Sequence, residues 1–286
     1  MKKTLGLFLS CMMLMSFAVA ALAADFDGNR PINLVSREDG SGTRGAFIEL
    51  VGVEVKDADG NKVDHTSEEA IIVNKTDVML QTVAGDLYAI GYVSMGSLSD
   101  SVKALNIDGA AANPGNIKSG EYTIARPFNI VTKGAAAGLA EDFIAYILSA
   151  DGQSVVSNGY IAIDDAAPAF GGAKPAGEIV VLGSSSVAPI MEKLIEAYQA
   201  LNTDAKIEIQ IIDSTAGVNA TIEGTCDIGM VSRELKESEL EELTCTQIAI
   251  DGIAVIVSPQ NPLENLAKEQ VRAAFTGELE TWKELQ

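Results

Sequence analysis

Arg37, Ser41 and Thr43 share one short loop, Ser36-Arg-Glu-Asp-Gly-Ser-Gly-Thr-Arg44. An arginine, two hydroxyls and two glycines in such a stretch suit an oxyanion. The guanidinium offers a planar fork of donors. Ser41 and Thr43 add O–H donors, and Gly40 and Gly42 let the backbone approach a ligand closely. Ile32, Leu34 and Val35 before the loop read as a strand, and Gly45-Ala-Phe-Ile-Glu-Leu-Val51 after it as the first turns of a helix. The free N–H groups and the dipole of a helix N-terminus favour negative charge. Taken alone, a glycine turn before a capped helix accounts for the loop equally well.

Three further loops have the same character. Gly183-Ser-Ser-Ser186 lies between a strand, Ile179–Leu182, and a helix, Val187–Leu201, whose Ile190, Met191, Leu194, Ile195 and Tyr198 recur at helical spacing. Asp213-Ser-Thr-Ala-Gly217 follows the alternating strand Lys206–Ile212 and precedes a helix over Val218–Glu223. Ser232-Arg233 closes the strand Asp227–Val231. Strands are also expected over Tyr88–Ser94, Val102–Ile107, Phe128–Thr132 and Ile248–Val257. Helices are expected within Ser67–Gly85 and over Leu139–Leu148 and Lys268–Phe275. Asp164–Gly177 is Ala/Pro/Gly-rich and reads as a linker. Strands alternating with helices imply an α/β fold with mostly parallel sheets. In such folds ligands collect at the carboxyl ends of the strands, so four converging loops of this kind would make an oxyanion cage.

Composition narrows the partners. Lys2 and Lys3, the apolar run Leu5–Ala20 and the small residues around Ala21-Leu-Ala23 form a secretory signal peptide over residues 1–24. A protein secreted across the cytoplasmic membrane, to the periplasm or the outer cell surface, is expected. Cleavage removes two of the 20 basic residues and none of the 40 acidic ones, leaving a strongly acidic chain. That argues against nucleic acid as a partner, but a buried site with one arginine can still hold a small anion. The one histidine, His65, sits in a polar stretch with no companion motif. A serine nucleophile needs an adjacent base, and no metal-ligand spacing is present, so no catalysis, no metal and no cofactor are expected. Cys226 and Cys245 could pair or remain free thiols.

Taken together, the loops Ser36–Arg44, Gly183-Ser-Ser-Ser-Val-Ala-Pro189 and Asp227-Ile-Gly-Met-Val-Ser-Arg-Glu-Leu235 resemble those of the phosphate-binding protein of the phosphate ABC transporter, the PstS family of the type II periplasmic binding protein superfamily. Asp251–Val257, Phe275-Thr-Gly277 with Trp282, and Arg126-Pro-Phe128 extend the resemblance over nearly the whole mature chain. In that family the Gly-Ser-Ser-Ser loop comes first. Here the family's second half, about Pro31 to Asp164, precedes its first half, Ile179 to Gln286, so the chain resembles a circular permutant whose 164–177 linker joins the family's usual ends.

The resemblance implies a two-lobed fold with a ligand cleft between the lobes. One lobe would comprise 25–99 plus 262–286, the other 100–261. It implies inorganic phosphate held by Arg37, Ser41, Gly42, Thr43, Ser185, Ser186, Ser214 and Ser232, with Asp39 bracing Arg37. It also implies a monomer that delivers its ligand to ABC permease membrane subunits. Some family members carry an aspartate at the position of Ser232, where it accepts the proton of hydrogen phosphate and rejects sulfate. Asp213, beside Ser214, is the substitute acceptor this chain offers. A binder of another oxyanion (sulfate, molybdate or an organophosphate) and a phosphate sensor are the alternative readings.

Overall fold

Runs of buried apolar residues build the strands of this computed structural model, which describes residues 26–286; the signal peptide expected over 1–24 lies outside the described residues. β1 (Asn33–Arg37) leads into α1 (Gly42–Val51), which ends at Gly52 in the left-handed region, φ 81°. The exposed hairpin β2 (Glu54–Lys56) and β3 (Lys62–Asp64) follows, with His65 exposed at its end. Ser67–Gly85, where one or two helices are expected, holds the helix α2 (Thr76–Ala84) but also a strand, β4 (Ile71–Val73). Three successive β-branched residues on the open edge of β1 favour pairing over helix.

Next come β5 (Ala89–Ser94), the two-residue strands β6 (Lys103–Ala104) and β7 (Asn106–Ile107), α3 (Pro114–Ser119) and β8 (Ala125–Thr132). α4 (Gly138–Leu148) is broken at Ser149, whose hydroxyl caps a second helix, α5 (Ala150–Val156). The expected linker has neither helix nor strand. It is nonetheless packed, since the Phe170 ring lies edge-on to Tyr146. Then follow β9 (Gly177–Ser184), α6 (Ala188–Leu201), β10 (Ala205–Ile212), α7 (Ser214–Glu223), β11 (Ile228–Val231), α8 (Glu237–Leu240), β12 (Thr244–Val257), β13 (Asn265–Leu266) and α9 (Lys268–Phe275).

Nine of these strands form one sheet in the order β10-β9-β11-β8-β12-β5-β1-β4, with β6 added on β12. Its two wings, β10-β9-β11 and β5-β1-β4, are parallel as expected. Its middle is not: β8 and β12 pair antiparallel with each other, and with β11 and β5 respectively. The reason is connectivity. β8 carries the chain from one wing to the other and β12 carries it back, so the two must run in opposite directions. β12 does this as a single 14-residue strand, pairing with β8 up to Gly252 and with β5 from Ile253.

The apolar core divides at the same place. One cluster centres on Phe47, Tyr92, Phe275 and Trp282, with Phe47 stacked on Tyr92 at 3.9 Å. The other gathers Phe128, Phe143, Tyr146, Tyr198 and Ile228. Leu105, Ile107, Tyr122, Ile124 and alternate residues of Ile253–Val257, expected in the second lobe, pack instead in the first cluster. The change of apolar cluster falls near Ala125 and Gly252, about 25 residues past the first expected boundary and about 9 before the second, because periodicity marks strands but not which sheet wing they join. Cys226 is buried and Cys245 exposed, and both are free thiols.

Candidate functional site

Five strands, three from one parallel wing and two from the other, end on one buried polar cluster. At the end of β1, Arg37 is 2% exposed. The Tyr92 hydroxyl, whose pKa burial pushes up to about 12, stays protonated, lies 2.8 Å from Ser36 Oγ and accepts from the Arg37 N–H at 3.2 Å. This locks the strand end that aims the guanidinium. Arg37 Nε and Nη2 donate to the two Glu38 carboxylate oxygens at 2.8 and 2.7 Å, and Nη2 also reaches Ser185 Oγ at 3.2 Å.

From α1, Thr43 Oγ1 meets Ser186 Oγ at 2.7 Å. Ser41 is buried, but its oxygen is committed to capping α1, accepting from Arg44 N at 3.3 Å. From the other wing, Ser184 Oγ donates to Ser232 Oγ at 2.8 Å, and Ser214 Oγ lies 3.2 Å from the same atom. The two wings meet directly: Thr215 N donates to Gly40 O at 3.2 Å. The cluster thus brings together Arg37, Gly42, Thr43, Ser185, Ser186, Ser214 and Ser232. A cleft of about 870 Å³ opens beside it, walled in part by Ser41, Arg44, Arg126, Thr215 and Arg233. The converging donors are in the cluster rather than in that cleft.

One expected supporting role is corrected, and the other is placed at a helix cap. Asp39 does not brace Arg37; its side chain is 98% exposed and pairs with Arg44 at 2.9 Å. Glu38, adjacent to Arg37 and one methylene longer, folds back to make the bidentate pair, while Asp39 sits in the turn before α1. Asp213 caps α7, accepting from Ala216 N at 2.8 Å. The side-chain neighbours of Ser232 Oγ are the hydroxyls of Ser184 and Ser214.

Sequence reasoning also missed residues. Thr76, at the start of α2, touches both Ser185 and Ser186. Its signal was available: Ile71-Ile-Val73 followed by Asn74-Lys75-Thr76-Asp77 is a strand, a turn and a helix start. Arg126 stands out in the sequence only as the first residue of Arg126-Pro-Phe128. It is 3% exposed, donates from Nη1 to Ser232 O at 2.7 Å and pairs through Nη2 with the buried Asp251 at 3.1 Å. Ser94 Oγ completes this group at 2.8 Å from Asp251. Nothing in the spacing of residues 126 and 251 announces the pair.

Gly42 is required by close approach. A Cβ there would lie 2.8 Å from Ser232 Oγ and closer still to Ser214 Oγ. Gly42→Ala is expected to wedge the wings apart and weaken anion binding about 10-fold, the effect of an overpacking cost of about 1–3 kcal/mol. Calorimetric titration measures it, and unchanged affinity would mean that the two wings need not close this tightly.

Two α/β wings crossed by two strands, with donor loops facing each other across the join, define a two-lobed solute-binding protein. A family model of the PBP superfamily domain matches residues 20–151 and 168–286. The chain is 53% identical over 257 residues to the phosphate-binding protein PstS 2 of Streptococcus agalactiae serotype V, covering 89% of this chain and 87% of the other. A crystal structure of a phosphate ABC transporter phosphate-binding protein from Streptococcus pneumoniae TIGR4 superposes with a TM-score of 0.71 at 44% identity, covering 90% of this chain and all of that one. The phosphate-binding protein PstS of Bacillus subtilis (strain 168) matches over 120 residues only, 41% of this chain and 40% of its own length, at 34% identity. The chain belongs to this family of phosphate-binding proteins within the PBP superfamily.

Proposed function

We propose that the protein captures inorganic phosphate outside the cytoplasmic membrane and delivers it to the membrane subunits of an ABC-type importer. One observation carries the reading: hydroxyl and guanidinium donors from both wings converge on one buried point, with Arg37 Nη2 3.2 Å from Ser185 Oγ. Charge on the ligand would be met by Arg37 and by the N-termini of α1, α2 and α7. The S. agalactiae and S. pneumoniae relatives, both phosphate-binding proteins by name, support phosphate as the ligand. The signal peptide read from the sequence supports export, and among the described residues no helix is long and apolar enough to cross a membrane.

The reading includes two lobes, 26–124 with 253–286 and 125–252, that hinge at β8 and β12 and close on the ligand as a monomer. Their separate apolar cores support this division. It also includes a permuted order relative to family members such as the B. subtilis protein, with 164–177 joining the family's usual ends. A half-length match to that protein, against a near-full-length match to the streptococcal ones, supports the permutation. So does the bridge between Pro31 and Thr281, segments that the family's order would place in sequence. Each lobe would then be intact and only the connection moved.

Ser232 favours a second reading, a binder of another oxyanion. A carboxylate rejects a fully deprotonated anion, because two acceptors then face each other. A hydroxyl can donate to sulfate or accept from hydrogen phosphate. Titration of the mature chain, unfolded and refolded to strip carried-over ligand, tests both. The expected result is one-to-one phosphate binding with weaker sulfate binding; equal affinities would replace phosphate by oxyanions in general.

A further inference from the structure

We propose that Thr76 is a further anion-binding residue of this site, supplying both its hydroxyl and its backbone N–H to the ligand; the inference rests on the phosphate-binding reading above. Thr76 is 4% exposed. It opens α2 just after β4, which pairs in parallel with β1 so that Val73 lies opposite Arg37. Three residues past that register point, Thr76 enters the cluster on the same side as the guanidinium. Its N–H donates to Ser185 Oγ at 3.3 Å, and its Oγ1 lies 3.2 Å from Ser185 Oγ and 3.3 Å from Ser186 Oγ.

The hydrogen bonds at Ser185 point to a ligand. A hydroxyl oxygen has two lone pairs and one hydrogen. Arg37 Nη2 and Thr76 N can only donate, so between them they fill both lone pairs of Ser185 Oγ. All the contacts at this oxygen measure 3.2–3.3 Å, at or beyond the long end of good geometry. Several donors share one weak neutral acceptor. An oxyanion, with charge and more lone pairs, satisfies the same donors at shorter range.

The local backbone fits this role. Lys75, just before Thr76, has φ 66° and ψ 153°, a conformation costly for a residue with a side chain. No side chain caps the helix it opens, so the N–H of Thr76 is not taken up by a local cap. Thr76 therefore adds on the Arg37 lobe what Ser185 and Ser186 add on the other, a hydroxyl beside a strand end.

The test is calorimetric titration of phosphate into the wild-type chain, T76V and T76S, with thermal denaturation of each without ligand. T76V keeps the shape and removes the hydroxyl. It is expected to weaken phosphate about 10–100-fold, the range for a hydrogen bond to a charged group, with little change in the unliganded melting temperature, and T76S to stay within about 3-fold of wild type. A purely structural role would lower the unliganded melting temperature and leave affinity unchanged. T76V binding within 2-fold of wild type overturns the proposal. If T76V does not fold, T76A is read in the same way. A wild-type chain that binds no phosphate defeats the phosphate reading itself, an outcome distinct from the failure of Thr76 alone.

Discussion

Replacing Arg37 by methionine is expected to weaken phosphate binding by about 100-fold or more while leaving the protein folded. The guanidinium is the cluster's positive side chain, 2% exposed and held by Glu38, the Tyr92-locked strand end and Ser185. Removing one partner of a buried, hydrogen-bonded charge pair costs roughly 2–5 kcal/mol, and about 2.7 kcal/mol is a factor of 100 in affinity. The fold survives because the other half of the ion pair is near water: the Glu38 side chain is 23% exposed and can be rehydrated when Arg37 is gone. Titration with phosphate checks the first part and thermal denaturation without ligand the second. Binding within about 5-fold of wild type would show that backbone and hydroxyl donors hold the anion without the arginine.

The larger expected loss of stability lies behind the site. Arg126 and Asp251 form a buried pair, 3% and 0% exposed, facing each other across the β8–β12 ladder. Burial raises the Asp251 pKa from 3.8 to about 6, and the neighbouring Arg126 charge only partly opposes it. Arg126→Met removes that opposition, leaves Ser232 O without its donor and strands a carboxylate in the core. About 3–5 kcal/mol is expected to be lost at pH 8, a fall of about 10 °C in melting temperature for a chain of this size.

The pH dependence follows from the raised pKa. Between the unfolded and folded pKa values the folded state holds a proton that the unfolded state has released. Stability from this group therefore declines as pH rises through that window and is constant above it. In wild type the decline ends just above pH 6. In Arg126→Met the folded pKa moves higher still, so the deficit at pH 8 shrinks on acidification to pH 5, where the buried carboxyl is neutral. Thermal denaturation at the two pH values measures this. A deficit that does not depend on pH would mean that Arg126 does not set the protonation of Asp251 between pH 5 and pH 8.

What the residues determined alone was local. Strand–loop–helix units follow from apolar runs ending in Gly, Ser and Thr, because short loops before helices need small residues with hydroxyls or flexible backbones. That Arg37, Thr43, Ser185, Ser186, Ser214 and Ser232 are hydroxyl and guanidinium donors at strand ends was legible for the same reason, as was the family likeness. Tertiary structure decided the rest. Arg37 and Ser185 are 148 positions apart, Thr76 and Ser185 109, and Arg126 and Asp251 125. Contacts of that range leave no period in a single sequence. Whether Glu38 or Asp39 holds Arg37 depends on the turn before α1. Which lobe owns residues 100–124 depends on where β12 changes partner, from β8 to β5, at Gly252. Side-chain type sets what a loop can donate; only the crossing of β8 and β12, which seats the two wings against each other, sets which loops meet in one cluster.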